Sequence, residues 1–176
     1  MKKFVAIAMA AVLALSLCAC GEDTPKEPEA SSKSTEATNP VTQGPVGYTF
    51  THNGVQFGVD MSAAKVVEAL GEYTDRAETE SCAFGGMDVD YYYPDFVINT
   101  NTEDGYERIY SIRLVSDMVE TEEGVCLFQS ADDVTAAYGQ AAQTTDTSMV
   151  YEKDGMTLTF LLTDGEVSSI QYYIGN

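Results

Sequence analysis

Apolar positions recur at helical spacing in two short stretches of the sequence, 57–71 and 125–139. The stretches align with each other, and in both a serine precedes the apolar positions and a glycine follows them: Ser62 and Gly71 in the first, Ser130 and Gly139 in the second. Serine is a favourable helix N-cap, and glycine readily adopts the left-handed conformation that ends a helix. The pattern therefore predicts two short helices.

Aromatic and β-branched residues, which favour strands, follow each predicted helix in 87–117 and 148–175. Pro94-Asp95 and three Asp-Gly pairs interrupt these segments at positions where hairpins turn. Asn53-Gly54 predicts one further hairpin ahead of the first helix. The sequence therefore predicts an α+β domain of two tandem helix-plus-antiparallel-meander repeats, which form a curved sheet with helices on one face.

The predicted domain spans 46–176, with repeat 1 at about 55–116 and repeat 2 at about 117–176. An antiparallel sheet can bury one face and leave the other in contact with water. Tyrosines on the uncovered face would form a partly polar surface of the kind enriched at binding sites. We take Tyr91, Tyr92 and Tyr93 as the candidate binding surface.

The first 19 residues have the pattern of an export signal. Basic residues start the chain, and the apolar run 4–19 is shorter than the roughly 20 residues that cross a bilayer. The sequence Leu17-Cys18-Ala19-Cys20 resembles the bacterial lipobox, which implies cleavage after residue 19 and acylation, for example with palmitate, at Cys20. Attached acyl chains would anchor the protein to the cell membrane on its extracytoplasmic face. An ordinary cleaved secretory signal is the alternative. A metal or redox site at the C-x-C pair is disfavoured, because it would need further cysteine or histidine ligands nearby.

Residues 20–45 are rich in Thr, Ser, Glu and Pro and nearly free of apolar residues, so we predict a disordered tether after the lipidated cysteine. The whole chain has a formal net charge of −19. Removal of 1–19 takes away two lysines and no acid, which leaves 28 acidic residues against seven basic ones. Such a surface repels nucleic acid and favours cationic or neutral ligands.

The paired segments "MSAAKVVEALG" and "QSADDVTAAYG", each followed by a short meander, resemble the two tandem repeats of the β-lactamase-inhibitor-protein-like fold. "SCAFGGMDVDYYYPDFVINT" and "DGYERIYSIRL" are similar to poorly characterised lipoproteins of Gram-positive anaerobes. The resemblance covers about 55–174. It implies the fold and a protein-binding role for the concave sheet face, but no inhibitory loop can be carried over.

The sequence offers little catalytic chemistry. His52 is the only histidine, so neither a histidine metal triad nor a Ser-His-Asp relay is indicated. Carboxylates are the remaining candidates for an acid-base pair or a cation site: Asp88, Asp90, Asp95, Glu103 and Asp104. Their spacing is not that of an EF-hand, and we predict neither a metal nor a cofactor. Cys82 and Cys126 are the cysteines left after processing and form a candidate disulfide.

These observations favour a non-catalytic, lipid-anchored extracytoplasmic module that binds an extracellular protein or glycan. An envelope assembly or structural lipoprotein is the alternative. A carboxylate-based hydrolase is a weaker hypothesis, because no second kind of catalytic side chain accompanies the acids.

Overall fold

The computed structural model describes residues 44–175 of the chain. The signal peptide at 1–19, the lipidation site at Cys20 and the tether as far as residue 43 lie outside the described residues, so they stay predictions.

The described chain contains ten strands and two helices. The strands are β1 (Phe50–His52), β2 (Val55–Phe57), β3 (Asp75–Glu80), β4 (Met87–Tyr92), β5 (Phe96–Glu103), β6 (Tyr106–Leu114), β7 (Gln143–Thr145), β8 (Ser148–Lys153), β9 (Met156–Thr163) and β10 (Glu166–Ile174). The helices are α1 (Ala63–Leu70) and α2 (Ala131–Tyr138).

Strands β3 to β10 form one antiparallel sheet of eight strands in the order β3-β4-β5-β6-β10-β9-β8-β7, while β1 and β2 form a separate hairpin. The pairing of β6 with β10 joins the two halves of the sheet at its centre, with Ile112 opposite Tyr172 and Leu114 opposite Ile170. All four of these residues are buried, so the two halves of the sheet share one apolar face. The strands β3 and β7 are the edges.

The predicted α+β fold, with two tandem helix-plus-meander repeats and helices on one face, is wrong. Strands account for 48% of the structure and helices for 12%, and one large antiparallel sheet organises the domain. The helices are only eight residues long. A polar segment follows each helix, and the sequence analysis predicted no strand there. These segments contain the edge strands β3 and β7. These strands are fully exposed, so no apolar alternation marks them in the sequence.

The core is built from alternate residues of the sheet and from the segments that precede each helix. Phe50 of β1 and Phe57 of β2 are fully buried, and the Phe50 ring lies 5.2 Å from the ring of Phe96 on β5. Val66 of α1 and Val134 of α2 are buried in the same cluster. Burial of such side chains is the main source of the folding free energy.

The predicted helix boundaries are confirmed. Ser62 and Ser130 are the N-caps, and Gly71 and Gly139 end the helices with φ angles of 81° and 77°. Only Ser130 forms a capping box, in which its Oγ accepts from the Asp133 N–H at 3.2 Å and its own N–H donates to the Asp133 carboxylate at 3.0 Å.

The capping box predicts a pH-dependent contribution to stability. Hydrogen bonds from the side chain and backbone of Ser130 hold the pKa of Asp133 below its usual value. Because this pKa is lower in the folded than in the unfolded chain, the stabilisation is present above about pH 4 and is lost as pH falls through the folded-state pKa. We expect Asp133→Asn to lower the melting temperature at pH 7 and to lose this effect toward pH 3.

The control is Asp132→Asn, which removes an exposed acid from the same helical turn without touching the capping box. Thermal denaturation of both variants and the original protein between pH 3 and 7 makes the comparison. The same pH dependence in Asp133→Asn and the original protein would contradict the prediction.

Candidate functional site

Cross-strand pairs identify the side chains on the face of the sheet opposite the core. Tyr173 lies opposite Ser111, Ser111 opposite Asn99, and Asn99 opposite Asp90. Directly paired residues point to the same face of a sheet, so these four form one row across β10, β6, β5 and β4. Tyr92, Val97, Arg113 and Gln171 pair in the same way and form the next row. We call this surface the open face; besides these two rows it includes Asp88, Asn101 and Tyr110.

A β-bulge places Tyr110 on the open face. Asn99 pairs with Ser111 but Thr100 pairs with Ile109, so Tyr110 has no partner residue on β5. Bulges of this kind redirect a side chain. The Tyr110 ring meets the Tyr173 ring edge-on at 6.0 Å and lies 5.3 Å from the Phe84 ring. The three rings therefore form a continuous aromatic strip.

Amide side chains hold the two carboxylates of β4 in place. Asn99 Nδ2 donates to Asp90 at 2.6 Å, and Asn101 Nδ2 donates to Asp88 at 2.7 Å. The Tyr92 hydroxyl donates to Asp90 at 3.3 Å. The carboxylates therefore bond to amide and hydroxyl donors, an arrangement that fixes side-chain geometry across β4 and β5.

Tyr92 and Tyr110 of the open face remain neutral at ordinary pH. Burial, together with the negative charges of Asp88 and Asp90, raises the pKa of Tyr110 to about 12. The carboxylate of Asp90 is also the main cause that raises the pKa of Tyr92. Both hydroxyls thus stay protonated and able to donate hydrogen bonds.

The loop 81–86 carries Phe84 to the edge of this face. Its backbone turns back through Gly85 and Gly86, which have φ angles of 80° and 68°, and the Ser81 N–H bonds to the Gly86 carbonyl at 3.0 Å. Asn101 Nδ2 also donates to the Gly85 carbonyl at 2.9 Å. The loop is thereby fixed against β5, and Phe84 remains 43% exposed.

Two neighbouring cavities lie beside the open face, at the end of the sheet where β6 begins and β10 ends. The first, of about 330 Å³, has aromatic rings and carboxylates in its lining; we call it the aromatic cavity, and it includes Phe84, Glu103, Asp104, Tyr106, Arg108 and Tyr110. The second, of about 440 Å³, we call the apolar cavity after the side chains of Val46, Val59, Met61, Met156 and Ile174, although Asp154 also lines it. Asp60 and Arg108, joined by a 2.7 Å ion pair, line both.

The three predicted tyrosines do not form one surface. Tyr91 and Tyr93 are only 8% and 6% exposed and belong to the core, where the Tyr93 ring stacks on Phe96 at 4.7 Å. Tyr92 alone lies on the open face. Strand alternation separates Tyr91 from Tyr92, and the chain turns after β4, so consecutive tyrosines cannot share one exposed face.

The other aromatic residues of the open face were missed in the sequence. Phe84, Tyr110 and Tyr173 come from a loop, a bulge and the last strand, and they meet through tertiary contacts. The sequence signal for Phe84 was the Gly85-Gly86 pair that follows it, since consecutive glycines indicate a backbone that turns sharply.

The remaining candidates for chemistry are dispersed. His52 packs against the rings of Phe50 and Phe96, with ring centroids 6.4 and 4.9 Å away. Asp95 accepts a hydrogen bond from the Ser116 hydroxyl at 2.7 Å. Among residues 44–175, no three His, Cys, Asp or Glu side chains are placed to hold a metal ion.

The candidate disulfide is not formed, because Cys82 and Cys126 are both free thiols in the structure. Cys82 is exposed in the loop 81–86, whereas Cys126 is half-buried. Burial, assisted by the charges of Glu120 and Asp117, raises the pKa of Cys126.

This difference predicts two rates of alkylation. The thiolate is the reactive form, so at pH 8 iodoacetamide should modify Cys82 first and Cys126 only slowly until the protein is denatured. Peptide mass spectrometry of timed samples measures both rates. Failure of both cysteines to react before reduction, followed by reaction of both after it, would instead establish the disulfide.

No helix among residues 44–175 has the length and hydrophobicity needed to cross a membrane.

Comparisons with known proteins give one distant likeness. No protein-family model matches the sequence, and no curated protein matches it. Among solved structures, the chain is similar to the uncharacterized protein yfeY from Escherichia coli, with 15% sequence identity and a TM-score of 0.42. The match covers 76% of this chain and 98% of that one. A likeness at this level carries no argument about function.

Proposed function

We propose that this protein is a non-catalytic binding module, anchored by lipid at Cys20 on the extracytoplasmic face of the cell membrane, and that it binds through the open face. The observation that carries the proposal is the aromatic strip of Phe84, Tyr110 and Tyr173 beside hydrogen-bonded polar side chains. Aromatic residues are enriched at interfaces, because they offer a large contact area together with a polar group.

Rigidity of the open face supports a binding role. Asn99 and Asn101 fix the acids of β4, and Asn101 also fixes the loop that carries Phe84. A surface whose side chains are already held by neighbours loses little conformational entropy when a ligand binds.

The carboxylates argue against hydrolysis. Asp88 and Asp90 lie on the same face of one strand, and each accepts a hydrogen bond from an asparagine amide on β5. Asp90 also accepts a hydrogen bond from the Tyr92 hydroxyl at 3.3 Å. These bonds fix neighbouring side chains, which favours a structural role for both carboxylates.

The location rests on the sequence pattern that ends at Cys20. With that anchor, an extracellular protein or glycan is the partner class, and the chain's net charge of −19 disfavours nucleic acid. We expect the original protein to incorporate labelled palmitate and Cys20→Ala to incorporate none. Incorporation of the label by that variant would contradict lipid attachment at Cys20.

In-cell photo-crosslinking tests the binding surface. A photoreactive phenylalanine analogue at position 173 should give an adduct of discrete mass in intact cells. The matched control is position 73, since Tyr73 is an exposed tyrosine whose ring contacts the core residue Tyr91. Equal adducts from both positions, or none from 173, would contradict a binding role for the open face.

A further inference from the structure

We infer that the aromatic cavity takes a lysine or arginine side chain of a protein partner, and that the apolar cavity takes an apolar side chain from the same segment of that partner. The inference rests on the proposed function and specifies the chemistry of the ligand.

The charge of the cavity favours a cation. Glu103 and Asp104 line it, and neither belongs to the Arg76–Glu78 or the Arg108–Asp60 ion pair. A basic side chain would meet two carboxylates there, in a protein whose overall charge of −19 also attracts cations.

The aromatic lining suits the same group. A cation over an aromatic ring is attracted by the ring's negative face. The protein already uses this contact in the cavity, where Arg108 Cζ lies 5.9 Å from the centroid of the Tyr106 ring. The rings of Phe84 and Tyr110 lie 5.3 Å apart, and in residues 44–175 neither has such a cation. Arg108 thus shows that a guanidinium fits this lining, while two further rings remain available.

Size and position favour a side chain of a peptide segment. The aromatic cavity, at about 330 Å³, is near the lower limit for ligand pockets. The apolar cavity adjoins it across the Arg108–Asp60 ion pair, and Met61 and Met156 in its lining can adapt to different apolar shapes. A segment that carries a basic and an apolar residue close together would fill both.

The test is a titration of the isotope-labelled full chain, purified in detergent, followed by amide chemical shifts. The probes are N-acetyl-arginine methylamide and the citrulline analogue, which has nearly the same shape and no charge. We expect saturable shifts around Phe84 and from Glu103 to Tyr110 with the arginine probe, and at least about five-fold weaker binding of the citrulline probe. Added salt should weaken the binding of the arginine probe.

Variants locate the effect in the cavity. The double variant Glu103→Gln/Asp104→Asn should weaken binding of the arginine probe about two- to five-fold, and asparagine tolerates the positive φ of 52° at position 104. The matched control is Asp164→Asn/Glu166→Gln, which removes two acids at another Asp-Gly hairpin, at the far end of β10, and should change nothing. Phe84→Ala, in an exposed loop, should weaken binding to a similar degree and serves if the double variant misfolds.

Absent or unsaturable shifts, equal binding of the citrulline probe, or equal weakening by the control variant would overturn the inference. The titration needs no natural partner, so its outcome is independent of the crosslinking at position 173. Crosslinking without arginine binding would retain the binding module and reject the basic side chain as its ligand. Arginine binding without crosslinking would retain the cavity and reject the open face as the surface occupied in cells.

Discussion

Replacement of Tyr91 by alanine is expected to destabilise the protein by about 3–5 kcal/mol, the range for large aromatic residues in a core. The Tyr91 side chain is only 8% exposed, its ring meets Tyr73 at 5.2 Å, and the Arg76 guanidinium lies 5.6 Å from its centroid. Truncation removes these contacts and leaves a cavity in the first half of the sheet.

The adjacent residue is the control. Tyr92 points to the open face and is half-buried, so Tyr92→Ala should lower the unfolding free energy by only about 1 kcal/mol. Urea denaturation followed by circular dichroism measures both. Equal losses of unfolding free energy in the two variants would contradict the placement of Tyr91 in the core and Tyr92 on the open face.

Gly86→Ala is expected to destabilise by about 2–5 kcal/mol, because a non-glycine residue at positive φ and an overpacked contact are each unfavourable. A Cβ at this position would lie 1.9 Å from the Thr102 carbonyl oxygen, which belongs to the backbone of β5 and cannot move aside. The loop 81–86 would have to leave β5, and Phe84 would leave the aromatic cavity with it.

Gly85→Ala separates the two effects. Gly85 also has a positive φ, of 80°, but a Cβ there would meet nothing within 4 Å. This variant should be destabilised by only about 1–2 kcal/mol, from backbone conformation alone. Gly86→Ala should also lose binding of the arginine probe, while Gly85→Ala should retain it. Similar stability and probe binding in the two variants would contradict the close contact with Thr102.

Local signals account for the parts of the fold that the sequence predicted. Ser62 and Ser130 begin the helices, and Asn53-Gly54 forms the predicted hairpin, because capping and turn preferences depend on a few adjacent residues. The turns at Asp104-Gly105 and Asp154-Gly155 also form, with positive φ at both residues of each pair.

Pairing between distant strands accounts for the errors. The edge strand β3 is exposed at every residue and exists because it pairs with β4, not because of its own apolar content. The pairing of β6 with β10 joins segments some 60 residues apart, and Gln171 Nε2 donates a hydrogen bond to the Ser111 hydroxyl across it at 2.9 Å. Neither feature has a local signal, so the mostly β character of the domain was underestimated.

The candidate site was predicted least well, for the same reason. Tyr92 was named, but Tyr110 reaches the open face only through a bulge in its pairing with β5. Phe84 reaches its place only because the loop 81–86 packs on Thr102 and bonds to Asn101. Such contacts depend on register, which a single sequence does not specify.

Side-chain footprinting in native membranes tests the central claim most directly. Hydroxyl-radical labelling of the protein in intact membranes would be compared with labelling of the purified full chain. We predict protection of Tyr110 and Tyr173 in membranes and unchanged labelling of Met118 and Phe128, which are 79% and 64% exposed and lie outside the open face. Equal labelling of Tyr110 and Tyr173 in both preparations, or protection at Met118 and Phe128 instead, would contradict a binding function for the open face.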